Sequence, residues 1–107
     1  MAKFVALYKK PQDPAAFDQW YFNQHVPLVA KIPGLKRSEV SRITGSPFGE
    51  SEYYLLAELY FDSMDALKAG MSSPEGMATG KDARSNAKDI LILMFAEEEK
   101  VTANAGK

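Results

Sequence analysis

The chain contains one histidine and one tryptophan, and they stand close together, at His25 and Trp20. Tyr21 lies one helical turn before the histidine, and Phe17 one turn before that. An imidazole titrates near neutral pH, so it can both accept and return a proton. Among aromatic rings it suits the transfer of a proton on a small, flat, apolar molecule held against those rings. A plainer reading stands beside this one. A solitary histidine at the edge of an apolar helix face is more often a satisfied structural residue, and on the residues alone that reading weighs more. Phe17, Trp20 and Tyr21 at helical spacing also read first as core. Arg42 could hold an anionic group in a cleft, or simply be a solvated surface arginine. Tyr53, Tyr54 and Tyr60 supply hydroxyls, one of which could meet a substrate oxygen. One histidine without matching carboxylate spacing offers too few ligands for a metal. The absence of cysteine removes disulfides, thiolate metal sites and a thiol nucleophile.

These side chains need a helix to carry them. Asp13-Pro14 has the chemistry of an N-cap followed by proline in the first turn. A helix is expected from there to about Ile32, stopped by Pro33-Gly34. Phe17, Tyr21, Gln24, Leu28 and Ile32 share one face, with Trp20 and His25 on its flanks. Pro27 cannot donate to the carbonyl of Asn23, so a kink is expected just after His25, widening the gap beneath. Strands are expected over Lys3–Tyr8, Leu35–Thr44, Glu52–Phe61 and Ile90–Ala96. Asp62 or Ser63 caps a helix over Met64–Met71. Ser73-Pro74 restarts helix to about Ala87, weakened by Gly76 and Gly80.

The order βαββαβ gives an α+β fold, ferredoxin-like, with a four-stranded antiparallel sheet and helices on one face. One domain is expected over residues 1–100, with 101–107 a flexible tail. Two strands are apolar on both faces. Leu55, Leu59 and Phe61 oppose Tyr54, Leu56 and Tyr60, and Leu91, Leu93 and Phe95 oppose Ile90, Ile92 and Met94. Two helices cover only one sheet face, so a second subunit is expected on the other, making a homodimer.

Acidic and basic residues nearly balance, at a net charge of −1, and are scattered along the chain. That argues against a nucleic-acid partner. No apolar run is long enough to span a bilayer, and the N-terminus lacks a signal-peptide pattern, so the expected location is cytoplasmic.

The pattern Phe17-x-x-Trp20-Tyr21-x-x-x-His25-x-Pro27-Leu28, followed by Pro33-Gly34-Leu35, resembles the EthD family of dimeric α/β-barrel proteins. Asp62-Ser63-Met64-Asp65-Ala66-Leu67 and Ser72-Ser73-Pro74-Glu75-Gly76 are similar to that family's second helical region. Asp82 and Asn86 fall where its acidic and amide positions tend to lie. The family's Tyr-Trp order is reversed here to Trp20-Tyr21. The resemblance covers roughly residues 3 to 97. It implies a sheet-to-sheet dimer with a pocket between helices and sheet in each subunit, and chemistry that needs neither metal nor organic cofactor.

With that resemblance, a functional role for His25 moves ahead of a structural one. The expected protein is a small cofactor-independent enzyme or catalytic accessory of the isomerase, cyclase or dehydratase type. It would act on a cyclic or aromatic carbonyl compound or lactone in a degradation or secondary-metabolite pathway. His25 would be the general acid or base, with Tyr21, Trp20, Phe17, Arg42 and Tyr60 binding substrate. The alternative is a non-catalytic protein that binds a hydrophobic compound and delivers it to an oxygenase system. A third reading, haem binding or cofactor-free oxygenation, follows from neighbouring dimeric α/β-barrel families.

Overall fold

Strand β1, Ala2–Lys9, is the centre of the molecule because it pairs on both sides. In the computed structural model, which describes residues 1–101, it lies antiparallel to β3 (Tyr53–Phe61) and to β4 (Leu91–Glu97). β2 (Arg37–Arg42) pairs antiparallel with the outer side of β3, giving the sheet order β2-β3-β1-β4. The fold is α+β and ferredoxin-like, as the element order predicts. Of the expected tail, all beyond Val101 lies outside the described residues. Among the described residues, no helix is long and apolar enough to cross a membrane.

Strand alternation sorts the sheet into two faces. Ala2, Ala6 and Tyr8 of β1 and Leu55, Ala57, Leu59 and Phe61 of β3 are buried beneath the helices. They form two clusters. One gathers Tyr8, Phe17, Tyr21, Leu55 and Ala87, and the other Ala2, Val29, Ile32, Leu59, Phe61 and Leu67. The opposite face carries Val5, Leu7, Leu56 and Ile92, all half-buried, and the more exposed Met94. Charge borders this face: Lys3 Nζ lies 2.8 Å from Glu58. The Arg37 guanidinium lies 3.8 Å from the centre of the Tyr60 ring, whose hydroxyl donates to Glu39.

The expected single helix is built in three pieces. α1 spans Pro14–Trp20, a π-helical turn spans Tyr21–His25, and α2 spans Val26–Val29. Asp13 caps α1 by accepting from the Ala16 N–H. At the far end Val26 N–H bonds to Tyr21 C=O, five residues back. Pro27 breaks the α-ladder at this point, and the chain answers with a widened turn placed before the proline.

α3 (Met64–Ser72) and α4 (Pro74–Ala87) are capped by Ser63 and Ser73 respectively. α4 is a full helix despite its glycines. Gly76 is buried, and a Cβ there would collide with the Gly70 carbonyl and the backbone of Met71. The missing side chain lets α4 start tight against α3, so packing overrides helix propensity.

The register between β1 and β3 slips once, with Tyr8 opposite Leu55 but Lys9 opposite Tyr53. Tyr54 is the extra residue of this bulge. Alternation put it with Leu56 and Tyr60 on the open face. The bulge turns it toward α1 instead, where its ring meets Phe17 edge-on at 5.4 Å and its hydroxyl donates to Asp18.

Candidate functional site

The π turn buries both Tyr21 and His25, at 2% and 6% exposure, on the side facing the sheet. The imidazole is clamped by two rings, with centroids 5.0 Å away for Trp20 and 5.4 Å for Tyr21. Its Nδ1 lies 2.9 Å from Oδ2 of Asp82, which α4 presents from the other side of the gap.

Asp82 is the hub of this arrangement. The Trp20 indole N–H donates to Oδ2 at 3.1 Å, the Gln24 amide to Oδ1 at 2.6 Å, and Asn86 to the backbone carbonyl and Oδ1. A carboxylate is an acceptor only, and here it meets a full set of N–H donors. The proton of a neutral His25 therefore sits on Nδ1, and Nε2 is left as a base. Burial pushes the His25 pKa below its usual value, against the smaller upward pull of Asp82. The imidazole is thus neutral, and able to accept a proton, at neutral pH.

Beneath His25 lies a small, partly open chamber of about 50 Å³ between the two core clusters. Tyr8, Tyr21, Val29, Leu59 and Thr79 contribute to its walls. The Thr79 hydroxyl donates to its own helix, to the Glu75 carbonyl. The hydroxyls of Tyr8 and Tyr21, both residues buried, have no hydrogen-bond partner among the described residues. Burial raises the pKa of both phenols, that of Tyr21 to about 12. Both remain protonated donors in any ordinary buffer.

The structure brings some expected site residues together and sets others apart. His25 and Tyr21 line the chamber. Trp20 donates to Asp82 and lies tilted at 39° against the imidazole, so of the reversed Trp-Tyr pair Tyr21 lines the chamber and Trp20 meets the carboxylate. Phe17 lies in the core between Tyr8, Trp20 and Tyr21. Arg42 lies on the surface, paired with Asp18 at 2.9 Å and with the Tyr54 hydroxyl. Those contacts, Asp18 first, raise its pKa. Tyr60 points to the opposite sheet face, because it is one residue out of phase with Leu59 on the strand, and its hydroxyl is taken by Glu39.

Residue-by-residue reading missed Tyr8, whose only signal was its even register on β1 with Ala2 and Ala6. Asp82 entered through the resemblance alone. Its local signal was a charged residue set beside the small buried positions Thr79, Ala83 and Ala87. A wider, open cleft of about 650 Å³ lies between the start of α1 and the end of α4, touching the site only through Trp20 and Asn86.

Comparison with known proteins gives this geometry a context. The sequence profile of the EthD domain matches residues 9–86. An uncharacterized 11.0 kDa protein from the thcB-thcC intergenic region of Rhodococcus erythropolis is 36% identical over 101 residues, covering 94% of this chain and 98% of that one. The crystal structure of an EthD family protein from Bacillus halodurans superposes with a TM-score of 0.91 at 50% identity, over 92% of this chain and 99% of that one. SnoaB, described as a cofactor-independent oxygenase of Streptomyces nogalater, shares the fold at a TM-score of 0.69 and 16% identity, over 95% of this chain and 96% of that one. With the profile covering both the π turn and Asp82, and a half-identical structure covering nearly the whole chain, the protein belongs to the EthD family.

Proposed function

We propose that this protein is a small-molecule enzyme in which His25 moves a proton on a carbonyl compound or lactone. The observation that supports this best is the buried His25–Asp82 pair beside an apolar chamber that His25 lines together with Tyr8 and Tyr21, whose hydroxyls have no partner among the described residues. A carbonyl acidifies the C–H beside it. Nε2 takes that proton, Asp82 stabilises the imidazolium that forms, and a Tyr8 or Tyr21 hydroxyl donates to the oxygen as it gains enolate charge. Returning the proton at another carbon gives an isomerisation. Expelling a hydroxyl from the next carbon instead, which takes the proton from the imidazolium and leaves as water, gives a dehydration and restores the neutral His25. Both balance without an external oxidant or reductant.

The test reads proton abstraction directly. A panel of lactones and cyclic ketones is incubated in D₂O and followed by NMR. Exchange of the acidic C–H is expected with wild type and is lost with His25→Gln. The second reading is a binding protein that hands a hydrophobic compound to an oxygenase. It would be favoured if ligands bind wild type and His25→Gln equally and neither protein exchanges a proton. The functional unit is proposed to be a homodimer joined through the open apolar sheet face, since a bare face of Val5, Leu7, Leu56, Ile92 and Met94 favours association.

A further inference from the structure

The chamber under His25, at about 50 Å³, is too small for a whole organic molecule, since a cavity that takes up benzene measures ~150 Å³. Most of any substrate must therefore lie outside it. A groove of about 480 Å³ runs over the edge of the sheet between α3, α4 and β4, and it shares Phe4, Met71, Gly80 and Leu93 with the chamber. That volume falls within the usual range for small-molecule sites, about 300–1,000 Å³. Its floor is apolar and open to solvent: Leu93 is 49% exposed and Phe95 58%. Met71 stands where the two spaces join, and its flexible thioether can change rotamer to connect them.

The rim of the groove is cationic. Lys68 comes from α3, and Lys81 and Arg84 come from successive turns of α4. No carboxylate lines the groove, and none of the three cations has an ion-pair partner among the described residues. Three like charges around one apolar trough repel one another, and an anion placed among them relieves that repulsion.

We infer that the substrate is an apolar carbonyl compound bearing a carboxylate: its reacting end enters the His25 chamber, its body lies on Phe95 and Leu93, and its carboxylate meets Lys68, Lys81 and Arg84. The inference rests on the proton-transfer reading for the reacting end. The groove itself can be tested without any turnover.

The probes are 8-anilinonaphthalene-1-sulfonate and N-phenyl-1-naphthylamine, which share one apolar body and differ in the anionic group. Fluorescence titration should show wild type binding the anion at least 10-fold more tightly than the neutral probe. The triple variant Lys68→Gln/Lys81→Gln/Arg84→Gln should lose at least 10-fold for the anion and stay within 2-fold for the neutral probe. Leu93→Glu should weaken both probes at least 10-fold, and His25→Gln should change neither by more than 2-fold. Each variant's melting curve checks that it folds. The inference is overturned if the anion has no advantage in wild type, or if the triple variant binds it normally. It also fails if Leu93→Glu leaves binding intact, which would place the probe on the open sheet face. A triple variant with a changed oligomeric state would make the groove a contact between copies instead. If proton exchange fails while these titrations succeed, the chemistry is wrong and the groove assignment stands.

Discussion

Asp82 takes hydrogen bonds from Trp20, Gln24 and Asn86 as well as from the imidazole, and so fixes which nitrogen of His25 holds the proton. In Asp82→Asn an amide can donate to Nδ1, which moves the imidazole proton to Nε2 and blocks the base. The exchange rate is expected to fall by roughly 10²–10⁴-fold, the usual contribution of a positioned acid or base. Probe affinity should hold within a few-fold, as a fluorescence titration would show. Tyr8→Phe removes a hydroxyl that has no hydrogen-bond partner among the described residues, from a residue that lines the chamber. Its melting temperature should match or exceed wild type while the exchange rate drops. A clear loss of stability would show that the hydroxyl is a structural partner instead. The lowered pKa of His25 also has a thermodynamic sign. Between the folded pKa and the unfolded value near 6.5, the unfolded chain binds more protons than the native one. Stability therefore falls as pH drops below about 6.5. Melting curves from pH 7.5 to 5 should show that loss in wild type and a weaker loss in His25→Gln.

At the scale of elements, the α3–α4 corner is held by an absence. Gly76→Ala puts a methyl into the Gly70 carbonyl and is expected to destabilise by about 1–3 kcal/mol, read from urea midpoints. Composition alone suggested the opposite weighting, because glycine in a helix reads as weakness. The strands were legible to within a residue or two, since alternation of Val, Leu, Tyr and Phe signals directly which face is buried. Two features escaped that logic. The bulge at Tyr54 depends on pairing with β1, which no local pattern carries. The π turn replaced the simple kink expected at Pro27, because the aromatic cluster beneath it decides how the freed backbone closes. For the same reason the site was only half visible. His25 and Tyr21 stand on one element, whereas Tyr8 and Asp82 arrive from β1 and α4 through the tertiary fold.

For the whole molecule, the open sheet face is the feature that remains to be covered. Leu7 stands at its middle, with Leu56 across one ladder and Ile92 across the other. The double variant Leu7→Glu/Ile92→Glu should sediment as a monomer at micromolar concentration, where wild type is expected to be a dimer. Wild type sedimenting as a monomer would remove the case for association. The Lys3–Glu58 pair and the Arg37–Tyr60–Glu39 group then become a polar frame around the contact. Such a frame sets orientation more than it adds affinity.

The widened turn at Tyr21–His25 also acts as a phase shift. An α-helix advances about 100° per residue, and a π turn absorbs one residue without passing that rotation on. Phe17 before the turn and Val29 after it both reach the sheet only because of this offset. Deleting one residue from the turn would give a straighter, regular α-helix that keeps Phe17 and Val29 on the same face, whereas closing the full-length chain as plain α-helix would swing either the aromatic cluster or Val29 out of the core. The irregular stretch is thus the place in this helix that absorbs a change of length, and a relative one residue shorter there would keep the same faces with a plain α-turn.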